Sequence, residues 1–498
     1  MKRKLFFYFI ILLVIVSCKK PEEIITGNGT SSGNGSGNGN GTGGSGGNTN
    51  RPPIANAGPD QSITLFTAYN KATLNGSNSY DSSGMNLQFF WRQISGPVSA
   101  FLQLPSQQEC TVYNINTPGV YSFELKVWNN NGADCDTTDI IVSIPSFCQT
   151  SRPEVPATLT FLANMPEHTQ TPEIVVAGNK LIFPSWFNNQ TATLSTNVHI
   201  YDLVTQNWNI IHTSRARWGV STIAAGDKIF FAGGVDDDGY SATSATSIVD
   251  IYDLTTNTWT ISNLSEARGY CKAAVAGNKV FFAGGLKNNQ SLSSKVDIYD
   301  LQTNSWSSTL LPGGARAIVG AVASQNKVLF CGGYTVYEDP IGWGMVLTTP
   351  SSAIDVYDNS TGQWSASTMA VNKDGFAAIS INGKVYLAGG TVNNAVTFHV
   401  EELDVNTMTS SNACLHQPMF SSNDNTSAVK NNMIVFFGYS PFSGIDHHKF
   451  DIYNIQTGVW SIGVFPPDLM TTNYFTAITS ANNEIYAVID DKLYKMNL

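Results

Sequence analysis

Hydrophobic and polar positions alternate along the chain from residue 51 onward, in short runs that turn residues interrupt. Examples before residue 145 are LQFFWRQI (Leu87–Ile94), CTVYNI (Cys110–Ile115) and VYSFELKVW (Val120–Trp128). A period of two residues is typical of β-strands with one buried face. The pattern predicts seven or so strands in about 95 residues, which indicates a β-sandwich.

From residue 157 onward the strand pattern repeats as a unit. Its second element, such as VDIYDLTTNTW (Val249–Trp259), follows most copies of its first element, which ends in two glycines. The two elements together predict two hairpins, and so four strands, in each unit of about 50 residues. The strong copies of the first element are DKIFFAGG (Asp227–Gly234), NKVFFAGG (Asn278–Gly285), NKVLFCGG (Asn326–Gly333) and GKVYLAGG (Gly383–Gly390).

A four-stranded unit repeated around an axis is the blade of a β-propeller. The number of hairpin copies predicts seven blades, with six as the alternative. The last copy lacks an outer strand, and residues 157–166 (ATLTFLANMP) resemble an isolated copy of that strand. We therefore expect the two ends of the repeat region to share one blade and close the ring.

Both regions resemble known families. The stretches ANAGPDQSITL (55–65), LNGSNSYD (74–81), FFWRQISGP (89–97) and PGVYSFELKVWNNNGA (118–133) look like a PKD-type immunoglobulin-like domain. In that family Trp91 would be the core tryptophan, and the domain would be a spacer or a glycan-contact module. The glycine pairs and the spaced aromatic-tryptophan pattern resemble the kelch repeat and galactose oxidase-like propellers. The resemblances imply an all-β chain, with an immunoglobulin-like sandwich at 51–146 and a kelch-type propeller at 147–498.

Residues 1–50 show no folding pattern, and the first 18 of them form a targeting segment. Three cations at 2–4 precede an apolar run at 5–16, which is typical of a signal peptide. The sequence IVSC ends at Cys18 and resembles the lipobox of bacterial lipoproteins, which implies lipidation of Cys18; an ordinary signal peptide is the alternative. Residues 19–50, rich in Gly, Asn and Ser, predict a flexible tether. The resemblance implies an outer-membrane lipoprotein, with the cell surface favoured over the periplasm.

Composition narrows the classes of function. The chain has 27 Lys and Arg against 37 Asp and Glu, and this net charge of -10 argues against nucleic-acid partners. No cysteine or histidine spacing of a zinc site occurs, so no metal or other cofactor is predicted. Cys110, Cys135 and Cys148 cluster in the first domain of an exported chain, and one disulfide among them is expected. Cys271 and Cys331 lie in strand patterns and are expected to be buried.

A cation recurs 16 residues before the first glycine of each strong pair, at Arg217, Arg268, Arg316 and Lys373. Connections alternate between the two faces of a blade, so the loops before the inner strand and after the glycine pair are expected on one face. The four cations should therefore lie at one radial position near the axis. There they could bind carboxylate, sulfate or sugar hydroxyls, or donate to carbonyls and lock the ring together.

The long loops after the glycine pairs bring aromatic residues to the same face. These are Trp186, Tyr240, Tyr334 and Trp343. Aromatic rings suit stacking on sugars, and packing at the rim is the alternative for each of them. Glu266 and Asp374 lie beside the cations and are candidates for acid–base catalysis on position alone.

The leading hypothesis is a surface-tethered protein that binds carbohydrate at the face carrying the Arg and Lys ring. One alternative is a protein-interaction scaffold in an outer-membrane complex. Kelch-type propellers include sialic acid mutarotases, so a sugar mutarotase is a second alternative, although an enzyme is not favoured. The expected partners are the membrane through Cys18, a glycan, and other outer-membrane proteins.

Overall fold

The computed structural model describes residues 51–65, 70–148, 151–167, 173–188, 193–236, 245–288, 291–338, 346–392, 395–421, 425–437, 448–466 and 475–498. In these ranges the regular structure consists of β-strands, numbered β1 to β42, with no α-helix. Accordingly, the described part of the chain has no helix with the length and apolarity to cross a membrane. The expectation of an all-β chain is confirmed.

The chain divides into two compact units, with a boundary between Ile144 and Pro145. The strands of the first unit are β1 (Gln61–Thr64), β2 (Ala72–Asn75), β3 (Gln88–Ser95), β4 (Phe101–Gln103), β5 (Glu109–Tyr113), β6 (Gly119–Asn129) and β7 (Gly132–Ser143). They form one sheet in the order β1-β7-β6-β3 and another in the order β2-β5-β4. Trp91 on β3 is 1% exposed and pairs with the buried Leu125 on β6, so it lies in the core as predicted.

The second unit begins with two short strands, β8 (Glu154–Pro156) and β9 (Thr158–Asn164). Sheet 1 consists of β10 (Val175–Ala177), β11 (Lys180–Pro184), β14 (Asn197–Asp202) and β15 (Trp208–His212). Sheet 2 consists of β16 (Ser221–Ala225), β17 (Lys228–Ala232), β18 (Ile248–Asp253) and β19 (Thr258–Asn263). Sheet 3 consists of β20 (Lys272–Ala276), β21 (Lys279–Ala283), β22 (Lys295–Asp300) and β23 (Ser305–Leu310).

Four further sheets follow. Sheet 4 consists of β24 (Gly320–Ser324), β25 (Lys327–Cys331), β28 (Ala353–Asp358) and β29 (Gln363–Thr368). Sheet 5 consists of β30 (Ala377–Ile381), β31 (Lys384–Ala388), β34 (His399–Asp404) and β35 (Ser410–Cys414). Sheet 6 consists of β36 (Ser427–Lys430), β37 (Met433–Phe436), β38 (Lys449–Asn454) and β39 (Val459–Val464), with β8 as a fifth strand. Sheet 7 consists of β40 (Phe475–Ala481), β41 (Glu484–Ile489), β42 (Lys492–Asn497) and β9.

Two-stranded hairpins follow the second strands of sheets 1, 4 and 5. They are β12 (Phe187–Asn188) with β13 (Thr193–Leu194), β26 (Tyr334–Glu338) with β27 (Val346–Pro350), and β32 (Thr391–Val392) with β33 (Ala395–Val396).

The first strands of sheets 1 to 7 contact one another in sequence, and β40 of sheet 7 contacts β10 of sheet 1. The sheets therefore close a ring, which is the arrangement of a β-propeller, and the predicted fold class is confirmed. Buried apolar side chains fill the space between neighbouring sheets; Phe281 of sheet 3, for example, packs in one cluster with Val328 and Phe330 of sheet 4. Strand β9 pairs antiparallel with β42, with Leu159 opposite Met496, so sheet 7 contains both ends of the propeller region.

The glycine pairs lie where the loops of consecutive sheets pass close together. Gly284 and Gly285 have φ angles of 67° and 100°, which a residue with a Cβ rarely adopts. A Cβ on Gly284 would lie 2.7 Å from the carbonyl oxygen of Arg316 in the loop to sheet 4. The glycines therefore allow close backbone packing between sheets.

The disulfide differs from the expectation. Cys148 is bonded to Cys414, 266 residues away, and Cys110 is a buried free thiol. The expected pair among Cys110, Cys135 and Cys148 is therefore wrong. Cysteines that lie near one another in sequence do not meet here, because Cys110 faces the core of the first unit and Cys148 lies in the second.

Cys271 and Cys331 are buried, as the strand pattern predicts. Burial raises the pKa of the Cys331 thiol to about 12. Such a thiol is protonated at neutral pH, so it packs as a small apolar side chain.

Candidate functional site

The loops that precede the first strand and follow the second strand of each sheet emerge at one end of the propeller, here termed the loop face. The antiparallel register shows this. Lys272 at the start of β20 pairs with Ala283 at the end of β21, and Gly320 at the start of β24 pairs with Cys331 at the end of β25. Both loops of a sheet therefore leave on the same side.

The four predicted cations lie in these loops, but none of them has solvent-exposed surface. The three arginines form ion pairs with buried aspartates on the third strand of the sheet that their loop precedes, and the buried Glu401 at the same position of sheet 5 acts on Lys373 through its charge. We term such a pair of residues a clasp. The clasps are Arg217 with Asp250, Arg268 with Asp297, Arg316 with Asp355, and Lys373 with Glu401.

The clasp cations also donate to backbone carbonyls. Arg217 Nη1 donates to the carbonyl oxygen of Gly233 at 2.9 Å, and Arg316 Nε donates to that of Gly332 at 3.0 Å. Each acceptor is the first glycine of its pair, so the 16-residue spacing in the sequence corresponds to a hydrogen bond. A carboxylate and carbonyl oxygens thus compensate the charge of each buried guanidinium, although Arg217 Nε itself has no hydrogen-bond partner among the described residues.

The clasps of sheets 3 and 4 also connect neighbouring sheets. The side chain of Arg268 binds within sheet 3, whereas its own carbonyl accepts a hydrogen bond from Gly234 N of sheet 2 at 3.1 Å. The carbonyl of Arg316 accepts in the same way from Gly285 N at 3.3 Å. The sequence left two roles open for the cations, ligand binding and locking of the ring, and these contacts support locking. A side chain without exposed surface offers a ligand nothing to contact.

Lys373 differs from the arginines. Its Nζ donates to the carbonyl oxygens of Leu387 at 2.7 Å and His399 at 3.3 Å. Burial lowers the pKa of Lys373 to about 7, and the charge of Glu401 offsets only part of this effect. Burial, together with the charge of Lys373, lowers the pKa of His399 to about 4. In the clasp of sheet 5, Lys373 therefore loses its proton near neutral pH.

Sheets 1 and 6 place other ionisable pairs at the same third-strand position. In sheet 1 this position holds the buried His199, whose Nε2 lies 3.6 Å from the carboxylate of Glu167. Burial lowers the pKa of His199. In sheet 6 the position holds Asp451, whose partner is Arg152 from the segment before β8.

Sequence reasoning missed the carboxylates of the clasps, although a signal for them exists. Asp250 and Asp297 are the first aspartates of two VDIYD motifs, and apolar residues that are also buried flank them on both sides. A carboxylate in the middle of a fully buried strand requires a cation. The repeated loop cations are the matching partners.

Two of the predicted aromatic residues can be placed on the loop face. Trp186 and Tyr334 are half-buried there, whereas Tyr240 and Trp343 lie outside the described residues. Trp186 Nε1 donates to the Glu173 carboxylate at 3.3 Å. Its ring packs edge-on against a core phenylalanine, so the indole is held by contacts on two sides.

Tyr334 lies near Asp374 of the next sheet. Burial and the charge of Asp374 raise the pKa of the Tyr334 hydroxyl, in that order of size. Asp374 is half-buried and accepts a hydrogen bond from the Thr391 hydroxyl. This part of the loop face therefore combines an aromatic ring with a partly accessible carboxylate.

Tyr270 is an aromatic residue of the loop face that sequence reasoning missed. Its side chain is 38% exposed, and its ring lies directly over Gly219, where a Cβ would come within 2.8 Å of the ring. The backbone N–H of Tyr270 donates to the Gly219 carbonyl at 2.8 Å. Gly219 and Tyr270 each lie two residues after a clasp arginine, and this shared position is the signal in the sequence. Phe420 lies over Gly375 in a similar way.

The two catalytic candidates belong to different sheets. Glu266, in the loop to sheet 3, accepts a hydrogen bond from Ser293 Oγ at 2.5 Å and lies 3.7 Å from Lys287 Nζ. Asp374 lies in the loop to sheet 5. Within the described ranges, no three His, Cys, Asp or Glu side chains are grouped so that they could hold a metal ion.

Comparison with known proteins gives matches in both units. The family model described as the KLHDC2/KLHL20/DRC7 Kelch-repeats domain matches residues 157–333, and a second model, described as a PKD domain, matches residues 57–142. The human dyslexia-associated protein KIAA0319 is 34% identical over 89 residues, which are 18% of this chain and 8% of that protein's length. A solved structure, that of YjhT, is similar at 14% identity and a TM-score of 0.38, over 59% of this chain and 95% of the other.

The two family matches fall on the regions that form the sandwich and the ring of sheets. A PKD domain combined with kelch repeats indicates a surface or protein-interaction protein. The chain thus contains kelch repeats in its β-propeller and a PKD domain before them.

Proposed function

We propose that this chain is a surface-tethered binding protein whose propeller binds a neutral carbohydrate at the loop face. The observation that carries the proposal is the ring of Tyr270, which is 38% exposed and fixed over Gly219. A partly exposed aromatic ring suits stacking on the apolar face of a sugar. Trp186 and Tyr334 add further aromatic surface on the same face.

The polar groups of the loop face favour a neutral ligand. Glu173 and Asp374 are half-buried carboxylates, which accept hydrogen bonds from sugar hydroxyls. The four predicted cations are buried in the clasps and present no charge to an acidic ligand. The net charge of -10 also opposes the approach of anions. Arg215 and Lys287 are solvent-accessible cations of this face, but each lies beside a carboxylate, Asp236 or Glu266. Carboxylate and sulfate ligands, which the sequence left open, are therefore not favoured.

The proposal includes the membrane anchor. Cys18 would carry the lipid at the outer membrane, residues 19–50 would act as the tether, and the PKD domain would act as a spacer. The family matches support a location at a surface. Lipidation at Cys18, attachment to the outer membrane and carbohydrate as the ligand are parts of what we propose.

Glycan binding by the purified chain tests the ligand class. We expect binding to neutral glycans on an array, and a loss of affinity of about tenfold for Tyr270→Ala, which corresponds to about 1.4 kcal/mol of stacking. Phe161→Ala is the matched control, because Phe161 is a 52% exposed aromatic residue on β9, the outer strand of sheet 7. This control should bind like the unaltered chain.

Failure of the folded chain to bind any glycan would contradict the proposal, as would equal losses in Tyr270→Ala and Phe161→Ala. Capture of outer-membrane proteins by a chain that binds no glycan would favour the scaffold alternative. If a bound reducing sugar also exchanged its anomers faster, as NMR can measure, the site would be that of a mutarotase.

A further inference from the structure

Sheet 6 lacks the loop cation of the other clasps. Met419 occupies that position, because its N–H donates to the Thr397 carbonyl at 3.2 Å and its own carbonyl accepts from Gly390 N at 2.7 Å. Arg268 makes the corresponding backbone contacts in the loop to sheet 3. The third strand of sheet 6 nevertheless carries a carboxylate, Asp451, which is 3% exposed. A thioether cannot compensate this buried charge.

Arg152 supplies the missing cation from a distant part of the chain. It lies 299 residues before Asp451, and its guanidinium is 2.5 Å from the carboxylate, with 3% and 4% of the two side chains exposed. Arg152 also donates to the Cys414 carbonyl and lies 5.1 Å from the centre of the Trp460 ring. Asp451 accepts further hydrogen bonds from His416, from its backbone N at 3.0 Å and its Nδ1 at 2.8 Å.

Arg152 belongs to a segment that we term the strap, described at residues 145–148 and 151–156. On one side of Arg152, Cys148 is bonded to Cys414 at the end of β35, which fastens the strap to sheet 5. On the other side, the three residues of β8 pair in parallel with β39, which fastens it to sheet 6. The strap therefore crosses the junction of sheets 5 and 6, with Arg152 between its two fastenings.

We propose that the strap is a redox-controlled clasp, in which the Cys148–Cys414 disulfide holds Arg152 against Asp451 and reduction loosens the junction of sheets 5 and 6. Chain connectivity distinguishes Arg152 from the other clasp cations. The other clasp cations lie in loops between two strands of the ring, so the ring itself positions them. Arg152 precedes β8 and β9, which are paired with β39 and β42, so strands hold it on its C-terminal side. On its N-terminal side the disulfide restrains it.

The redox step requires a dithiol reductant. Its thiolate attacks the sulfur of Cys148, which is half-buried, whereas Cys414 is 3% exposed. The S–S bond breaks, Cys414 leaves as a thiolate and takes up a proton, and a mixed disulfide forms at Cys148. The second thiol of the reductant then displaces Cys148. The protein gains two thiols and the reductant becomes a disulfide.

Hydrogen exchange of the full chain, with and without dithiothreitol, tests the proposal. The reductant is expected to raise the exchange rates of the β8 and β39 amides about tenfold or more and to leave sheets 2 and 3 unchanged. Cys148→Ser should show the faster exchange without reductant and no further change when it is added. Cys110, Cys271 and Cys331 are already free thiols, so reduction does not alter them.

Arg152→Met separates the ion pair from the disulfide. With the bond intact, this variant should also raise exchange in β8 and β39, and Asp451→Asn in the same chain should restore part of the protection by removing the uncompensated charge. Unchanged exchange in β8 and β39 after reduction, or in Arg152→Met, would overturn the proposal. A uniform rise across all sheets would overturn it as well, since the bond would then stabilise the whole fold and not this junction.

Discussion

Arg268 and Asp297 lie 2.8 Å apart with almost no exposed surface. Removing one member of a buried ion pair costs about 3–5 kcal/mol, because the other charge stays buried without compensation. We expect Arg268→Met to lower the free energy of unfolding by about this amount in urea denaturation. Adding Asp297→Asn should recover part of the loss, since the amide oxygen still accepts from Ser265 N. Equal losses in the single and double variants would contradict the clasp.

Substitutions of Gly284 and Gly178 distinguish two reasons for a glycine, its backbone conformation and close packing around it. Their φ angles are 67° and 55°, and a Cβ on Gly178 would meet nothing within 4 Å. A Cβ on Gly284 would lie 2.7 Å from the Arg316 carbonyl oxygen and 2.9 Å from Ile318. We expect Gly178→Ala to lower the free energy of unfolding by about 1 kcal/mol, as measured by urea denaturation. Gly284→Ala should lower it by about 2 kcal/mol more. Similar costs would mean that packing between sheets does not select the glycine.

Lys373 makes stability depend on pH. Burial lowers its pKa from 10.5 to about 7, so the unfolded chain holds this proton more tightly than the folded chain between these values. The contribution of Lys373 to stability therefore rises with pH across that window. His399, with a pKa of about 4, titrates below it. Replacing both members of the clasp, Lys373→Met with Glu401→Gln, should reduce the gain in unfolding free energy between pH 7 and pH 9. An unchanged gain would exclude Lys373 as its source.

Strand β9 is the element on which closure of the ring depends. It pairs with β42, where Met496 has no exposed surface and lies in a core cluster with the partly buried Leu159. Met496→Ala should lower the free energy of unfolding by about 2–5 kcal/mol in urea denaturation, as expected for a buried methionine. Asn497→Ala alters the half-buried neighbour, whose amide donates to Thr158 and Thr160, and should lower the free energy of unfolding by less than about 1 kcal/mol. Equal effects would show that packing at the closing strand is unimportant.

The elements and their order could be predicted from the sequence because strand alternation and hairpin length are local properties. The cation positions could be predicted for the same reason. Each cation donates to a backbone carbonyl at or two residues before the glycine pair of its own sheet, so its spacing from the pair recurs from copy to copy. Whether a side chain at that position points to solvent or inward is not local. For Arg217 it depends on Asp250, which the sequence shows only as one polar residue in an apolar strand.

The contacts of Arg152 could not be predicted at all. Its partners Asp451 and Cys414 lie several sheets further along the chain, and no repeat relates them to the strap. The same holds for the Cys148–Cys414 disulfide, which joins residues that share no motif. Tyr270 could be predicted in part. Its position after a clasp arginine recurs, but its stacking on Gly219 depends on the neighbouring sheet.

For the whole molecule, the proposed anchor at Cys18 determines where the propeller acts. Cells that express the full chain and receive a radiolabelled fatty acid should incorporate the label and hold the protein in the outer-membrane fraction. Cys18→Ala should lose both properties, while Cys271→Ala, which alters a buried thiol, should keep them. Labelling of Cys18→Ala would contradict lipidation at this residue.

The position of the disulfide in the chain has a mechanical consequence. A pulling force applied from the N-terminal side reaches Cys148 before it reaches β9, because Cys148 precedes that strand. The bond passes the tension to Cys414 at the end of β35, the fourth strand of sheet 5. Without the bond, the pull would first load the β8–β39 pairing and then the β9–β42 pairing. With the bond intact, the strand that closes the ring carries none of the load.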